Sequence, residues 1–154
     1  MTRALPLPYM LIPVRRLLLE EAAFASLLDG GTVTTRDLPE QLTTPAVVVR
    51  STWQDGEDAN LRNPTVQVIA VVPPDYVPDT GPHAGKDPDE VAWDIVALAA
   101  VILDATRNEE FRGAAWNASW TEGPVSEVLT DRDPTHPLFT CSITVQMDVS
   151  PPVP

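Results

Sequence analysis

The chain has 154 residues, the length of one domain, and its 22 Asp and Glu against 10 Lys and Arg give a formal charge of −12. That balance excludes a protein built to grip a phosphate backbone, because the cations are scattered from Arg3 to Arg132 rather than clustered. Cys141 is the only cysteine, which excludes a disulfide framework and fits a reducing compartment.

Met1 to Pro13 is apolar, but Pro6, Pro8 and Pro13 interrupt it, and Arg15, Arg16, Glu20 and Glu21 follow it directly. A secretory signal has the reverse order of charge, and no run reaches the length of a membrane span. The expectation is a soluble, unexported protein with an extended Pro-rich arm over residues 1–13, a domain over 14–150 and a Pro-rich tail over 151–154.

Val14 to Leu28 reads as one helix, with Val14, Leu17, Leu18, Phe24, Ala25 and Leu28 on a broad apolar stripe. Asp29-Gly30-Gly31 stops it, since glycine accepts the left-handed conformation at a helix end. Thr32 to Arg36 is a short strand, and Ala46 to Trp53, after Pro45, is a second. Asp55, Gly56, Glu57 and Asp58 form a turn, so Thr65 to Val72 returns as the hairpin partner. That strand is apolar on both parities except at Thr65 and Gln67, which predicts a central strand covered on both faces or an assembly contact.

Pro73 to Asp87, rich in Pro and Gly, is expected to be a loop without hydrogen-bonded structure of its own, either a plain surface loop or a partner-binding arm. The next helix starts at Asp87 as cap, with Pro88 in its first turn and Asp89 and Glu90 at the positive end of its dipole. Val91, Ile95, Leu98, Ala99 and Ile102 line its apolar stripe. Ala115 to Thr121 alternates as a strand, Gly123-Pro124 marks a bulge or bend, and pairing resumes through Val125 to Leu129. After a turn at Asp131 to Pro137, Leu138 to Val149 alternates almost without error. Phe139, Cys141, Ile143, Val145, Met147 and Val149 face one way, and Thr140, Ser142, Thr144, Gln146 and Asp148 the other. Cys141 thus reads as a buried small hydrophobe. The fold class is α+β: an antiparallel or mixed sheet of about five strands, with two main helices packed on one face, in the order α-β-β-β-α-β-β.

Residue types that carry chemistry are present but do not assemble into a motif. His83, in the Pro/Gly loop, and His136, between Pro134 and Pro137, lack partners at ligand spacing and read as solvated loop histidines. The acidic turn after Trp53 lacks the spaced ligands of a calcium loop. There is no nucleophile elbow and no glycine-rich phosphate cradle. No enzyme, metal or cofactor is expected. The four tryptophans are read first as core, with Trp53 the weakest case because the charged tip begins just after it.

In layout and local wording the chain resembles the tail terminator, or tail completion, proteins of long-tailed bacteriophages, particularly those of actinobacteria. The resemblance runs from about Val14 to Val149. It is carried by Thr44-Pro45-Ala46-Val47-Val48-Val49-Arg50, by Asp87 to Leu103 with its A-W-x-I-V-x-L core, by the two-Trp strand, and by Asp133 to Val149 with HPLFTCSITVQMDV. The Pro-rich lead and the long loop look like additions to the pattern.

The resemblance implies a hexameric ring that caps the tail tube, ends its polymerisation and joins the head. The implied partners are the same chain, the major tail tube protein and a head-closure or connector protein. DNA would pass through the lumen without specific binding, past an acidic lining. The implied location is the virion neck, after assembly in the host cytoplasm. The interface residues expected are Trp53, Asp55, Glu57 and Asp58 at the hairpin tip, Tyr76, His83 and Lys86 in the loop, and Thr140, Ser142, Thr144 and Gln146 on the last strand. Rival readings are another neck component or a small ligand-binding or enzymatic domain.

Overall fold

The computed structural model describes residues 8–52 and 63–150. Their elements, in chain order, are α1 (Leu11–Glu20), α2 (Ala22–Leu28), β1 (Thr32–Thr34), β2 (Ala46–Ser51), β3 (Thr65–Val72), α3 (Pro88–Asp104), β4 (Glu109–Phe111), β5 (Ala114–Leu129) and β6 (Leu138–Ser150). The chain is α+β, with three helices and one mixed sheet ordered β1-β2-β3-β6-β5-β4. Only β1 and β2 run parallel; every other neighbouring pair is antiparallel.

The expected single helix over 14–28 is two helices that meet at Glu21, whose backbone is extended (φ −80°, ψ 110°). The apolar phase explains the break. Leu11, Val14 and Leu18 share one face, but six helical residues later Phe24 would lie about 240° around the axis, away from that face. Interrupting the helix lets both Leu18 and Phe24 reach full burial. Helix α1 also begins earlier than expected. Pro13 falls within its first turn, where its missing N–H leaves no bond unmade, and Met10 and Leu11 are buried. The stop at the end of α2 is as expected, with Asp29 (φ 50°) and Gly30 (φ 84°) both left-handed.

Helix α3 crosses the sheet on the same side. Val91, Ala92, Ile95, Val96, Ala99, Ala100 and Leu103 are buried against β3, β6 and β5. The Asp87 side chain does not cap it; the carboxylate of Asp89 instead accepts from the Glu90 N–H at 3.0 Å. Strand β6 lies between β3 and β5, and Cys141, Ile143, Val145, Met147 and Val149 enter the core from it. Burying each such aliphatic side chain contributes about 1.5–3 kcal/mol.

The sixth strand, β4, was not expected. It is three residues long and joins β5 through Arg112 (φ 49°) and Gly113 (φ 84°), a two-residue turn of the twist that hairpins favour. Its Phe111 is buried between the guanidinium groups of Arg112 (4.8 Å) and Arg16 (5.5 Å).

The bulge expected at Gly123-Pro124 is present, as register shifts between β5 and β6 from Trp120 to Val125. Gly123 has φ 93°, and a Cβ there would lie 2.4 Å from the Ser142 carbonyl oxygen.

The second face of β3 is covered in part, as its two apolar parities suggested. Ile69 and Val71 pack with Leu138, Val48, Leu38 and Leu42. Arg132 donates to the Pro39 carbonyl, tying the β5–β6 turn to that covering segment.

The sheet edges are managed. At β1 the Arg15 Nε donates to the Val33 carbonyl at 2.7 Å. Past β4, the edge of β5 is met by side and main chain. Ala118 N–H donates to the Thr106 carbonyl, Arg107 donates to the Ala118 carbonyl, and the Asp104 carboxylate accepts from Trp120 N–H.

Candidate interaction surfaces

The three regions singled out in the sequence have different fates. Trp53, Asp55, Glu57 and Asp58 lie outside the described residues. In the Pro/Gly loop, Tyr76 and His83 are buried instead of presented outward. Loop order begins with main-chain turns: Tyr76 N–H donates to the Pro73 carbonyl, Ala84 N–H to Gly81, and Lys86 N–H to His83. This corrects the expectation of a loop without internal hydrogen bonds. Pro removes donors but leaves carbonyls, and Gly81 (φ 86°) and Gly85 (φ 76°) supply the left-handed backbone the turns require.

Two side chains then fasten the loop to the C-terminal end of α2. The Tyr76 hydroxyl donates to the Asp29 carboxylate at 2.7 Å, and His83 Nε2 lies 2.5 Å from the Leu27 carbonyl, a pairing that places the ring proton on Nε2. The two rings meet edge to face, 6.2 Å between centroids. Burial first, and the bond to Asp29 second, push the Tyr76 phenol well above its ordinary titration range. His83 is fully buried, which corrects the reading of a solvated loop histidine, and its Nδ1 has no hydrogen-bond partner. Lys86 makes a 2.6 Å ion pair with Asp94 on α3, and that hydrogen bond holds its ammonium above the usual range. These three residues lock the loop to the helices; the surface they leave is made by their neighbours, such as the exposed Val77.

The polar parity of β6 is graded. Thr140 is buried, its Oγ1 donating to the Glu127 carbonyl at 3.2 Å; Ser142 and Thr144 are half-buried, and Gln146 is exposed. Register fixes their neighbours. Thr144 and Gln146 sit opposite Gln67 and Thr65 on β3, while Ser142 sits opposite Val125 on β5. Val125 (52 % exposed) and Leu129 (39 % exposed) continue the same face outward along β5. The covering segment around Leu38 and Leu42 stops short of this half of the sheet, so a polar and apolar patch stays open. It is rimmed on the same face by Arg50 opposite Gln67, Glu122 opposite Thr144, Glu127 between Val125 and Leu129, and Asp148.

Among the described tryptophans only Trp116 fills the default core role, at 1 % exposure and with its Nε1 unpaired. Trp120 is 41 % exposed and its indole N–H donates to the Glu122 carbonyl; it stands at the margin of the helical layer, where α3 ends at Asp104. Trp93 is 46 % exposed, and Val101, two turns further along α3, is 60 % exposed. Sequence carried a signal for this: Trp93 lies about 200° around the helix from Val91 and about as far from Ile95 in the other direction, opposite the buried stripe.

A second feature left unmarked by the sequence is a groove of about 530 Å³ between α1 and β1. It is lined by Ile12, Arg15, Arg36 and the stretch from Thr32 to Thr35. It gathers two cations where the rest of the chain is predominantly acidic.

Cys141 is buried, and desolvation raises its thiol pKa despite the Ser126 hydroxyl 3.7 Å away. Among the described residues, no three His, Cys, Asp or Glu side chains converge to hold a metal ion, and no helix is long and apolar enough to cross a membrane. His136 and Asp133 form an exposed turn pair at 3.1 Å, stabilised further by Thr135. Scans against protein-family models and against curated proteins find no match for the chain.

Proposed function

We propose that the chain is a structural subunit of a phage-type tail: a ring-forming terminator that caps the tail tube, ends its polymerisation and offers the surface for head joining. On this reading it works without catalysis, cofactor or metal, in the virion neck. The observation that carries the proposal is the open strip on the sheet. On a chain of charge −12, Thr65, Gln67, Ser142, Thr144 and Gln146 form an uncharged polar patch beside exposed Val125 and Leu129, with Arg50, Glu122, Glu127 and Asp148 as its charged rim. Surfaces that meet only water on such an acidic chain are expected to carry its charge; depletion of charge with exposed aliphatics is the mark of a protein contact. The resemblance of Thr44–Arg50, Asp87–Leu103 and Asp133–Val149 to tail terminators supplies the identity of that contact.

The test is to add the purified chain to tail tube protein during polymerisation and to image the products by negative stain. Tubes of arrested length with a ring on one end support the proposal. Tubes that grow unchecked, with the chain left unbound, refute it. Binding to head-connector complexes but not to tubes would reassign the chain to another neck position.

A further inference from the structure

We infer that neighbouring copies of this chain meet head to tail, with the Trp93 ridge of α3 in one copy seated in the Arg15/Arg36 groove of the next. This deepens, and rests on, the reading of the chain as a ring subunit. A ring built from identical chains needs two different complementary patches on each subunit, since a self-complementary patch stops at a dimer.

The ridge supplies one patch. Glu90, Trp93, Ala97 and Val101 follow one another up α3 at spacings of three and four residues, and Glu90, Trp93 and Val101 are exposed. All four ionisable residues of this helix are acidic: Asp89, Glu90, Asp94 and Asp104. With Asp94 paired to Lys86, the ridge is apolar at its centre and takes its negative charge from Asp89 and Glu90 at its N-terminal end.

The groove supplies the converse. Ile12 gives an apolar wall, and Arg15 and Arg36 give positive charge; neither guanidinium is ion-paired among the described residues. Arg15 is fixed in place by its Nε bond to the Val33 carbonyl, which leaves its terminal nitrogens for a further partner. An indole between two guanidinium planes satisfies both stacking and charge, and Glu90 would stand beside them.

Charge selects the occupant as a second copy. The ridge repels acidic surfaces, and the groove is the described place where an apolar wall and two unpaired arginines coincide. Direct strand addition at β1 is disfavoured, because Arg15 occupies the outward carbonyl of Val33. The contact must therefore be made by side chains.

The experiment uses the full chain and reads its mass by native mass spectrometry up to millimolar concentration. A photo-crosslinking residue is placed at position 93, and the linked peptides are sequenced. The expected crosslink joins position 93 to the segment from Ile12 to Arg36 of another copy. Arg36→Glu and Glu90→Arg should each weaken association about tenfold or more, and the two together should restore most of it. Arg36 is the better probe than Arg15, whose loss would also free the Val33 carbonyl. Crosslinks elsewhere, a chain that stays monomeric and uncrosslinked at millimolar concentration, or a charge swap that fails to rescue overturns the inference. Tube capping separates the two proposals. Capping retained by Arg36→Glu removes this contact and leaves the terminator reading; rings closed through this contact that ignore tubes do the reverse.

Discussion

Replacing Tyr76 by Phe removes one hydroxyl and leaves the ring in place, so it isolates the bond that ties the Pro/Gly loop to the end of α2. That hydroxyl donates to the Asp29 carboxylate at 2.7 Å from a ring that is 8 % exposed. A hydrogen bond to a charged acceptor contributes about 1.5–3 kcal/mol, and because Asp29 is exposed and is rehydrated in the variant, the lower part of that range applies, about 1.5–2 kcal/mol. For a chain of this size, at about 2–4 °C per kcal/mol, that is a fall of about 3–8 °C in Tm.

The pH dependence follows from the raised phenol. A tyrosine whose pKa is higher folded than unfolded contributes stability that is fully present below the unfolded value near 10, and it is lost as pH climbs above it. Lys86, also raised, loses its contribution at high pH in both proteins, so the difference between them isolates Tyr76. Urea unfolding of the wild type and Tyr76→Phe at neutral pH and in steps above pH 10 reads both effects. The gap should be present at neutral pH and shrink above pH 10. A gap under about 0.3 kcal/mol at neutral pH, or one that stays constant through the alkaline range, refutes the reasoning.

Three further outcomes follow from the packing. Gly123→Ala should lower stability by about 2–4 kcal/mol, because it combines a left-handed φ with a Cβ 2.4 Å from the Ser142 oxygen; thermal unfolding checks this. Ile95→Ala, at the fully buried centre of α3, should cost about 2–5 kcal/mol, whereas Trp93→Ala should change the unfolding free energy of the isolated subunit by less than about 0.5 kcal/mol, and denaturant titration of both gives the contrast. Cys141 should resist a thiol reagent in the native chain and react at once in denaturant; rapid native labelling would contradict its burial.

What the residues made legible was what periodicity controls. The alternation of β6, the valine-rich β2 and β3, and the stripe of α3 each state a face, and most of each is buried as stated. Phe139 on β6 and Leu98 and Ile102 on α3 are only half-buried, and Leu138 and Thr140 are buried from the other parity of β6. The break at Glu21 was also present as a phase change between Leu18 and Phe24, but a stripe broad enough to absorb both hid it. Strand β4 was not legible, since Glu109-Glu110-Phe111 is too short to alternate and its place depends on a turn at Arg112-Gly113.

The loop misled for a different reason. Pro and Gly predict the absence of repeating bonds, but they say nothing about Tyr76 and His83 reaching 47 and 56 residues back to Asp29 and Leu27. Such long-range pairings leave no local trace. The groove at Arg15 and Arg36 is equally non-local, since 21 positions separate two residues that only the α1–β1 packing brings together.

The partly blunted edges of the sheet bear on how identical chains meet. An open row of main-chain donors and acceptors lets identical molecules stack without limit, and the hazard grows with concentration. Here three-residue strands at both margins, the Arg15 bond to Val33, the clasp of Thr106, Arg107 and Asp104 on β5 and the kink at Gly123 interrupt that row. At those points the sheet is blunted against strand-to-strand stacking of identical copies, whereas Thr121 to Leu129 of β5 has no strand on its outer side among the described residues.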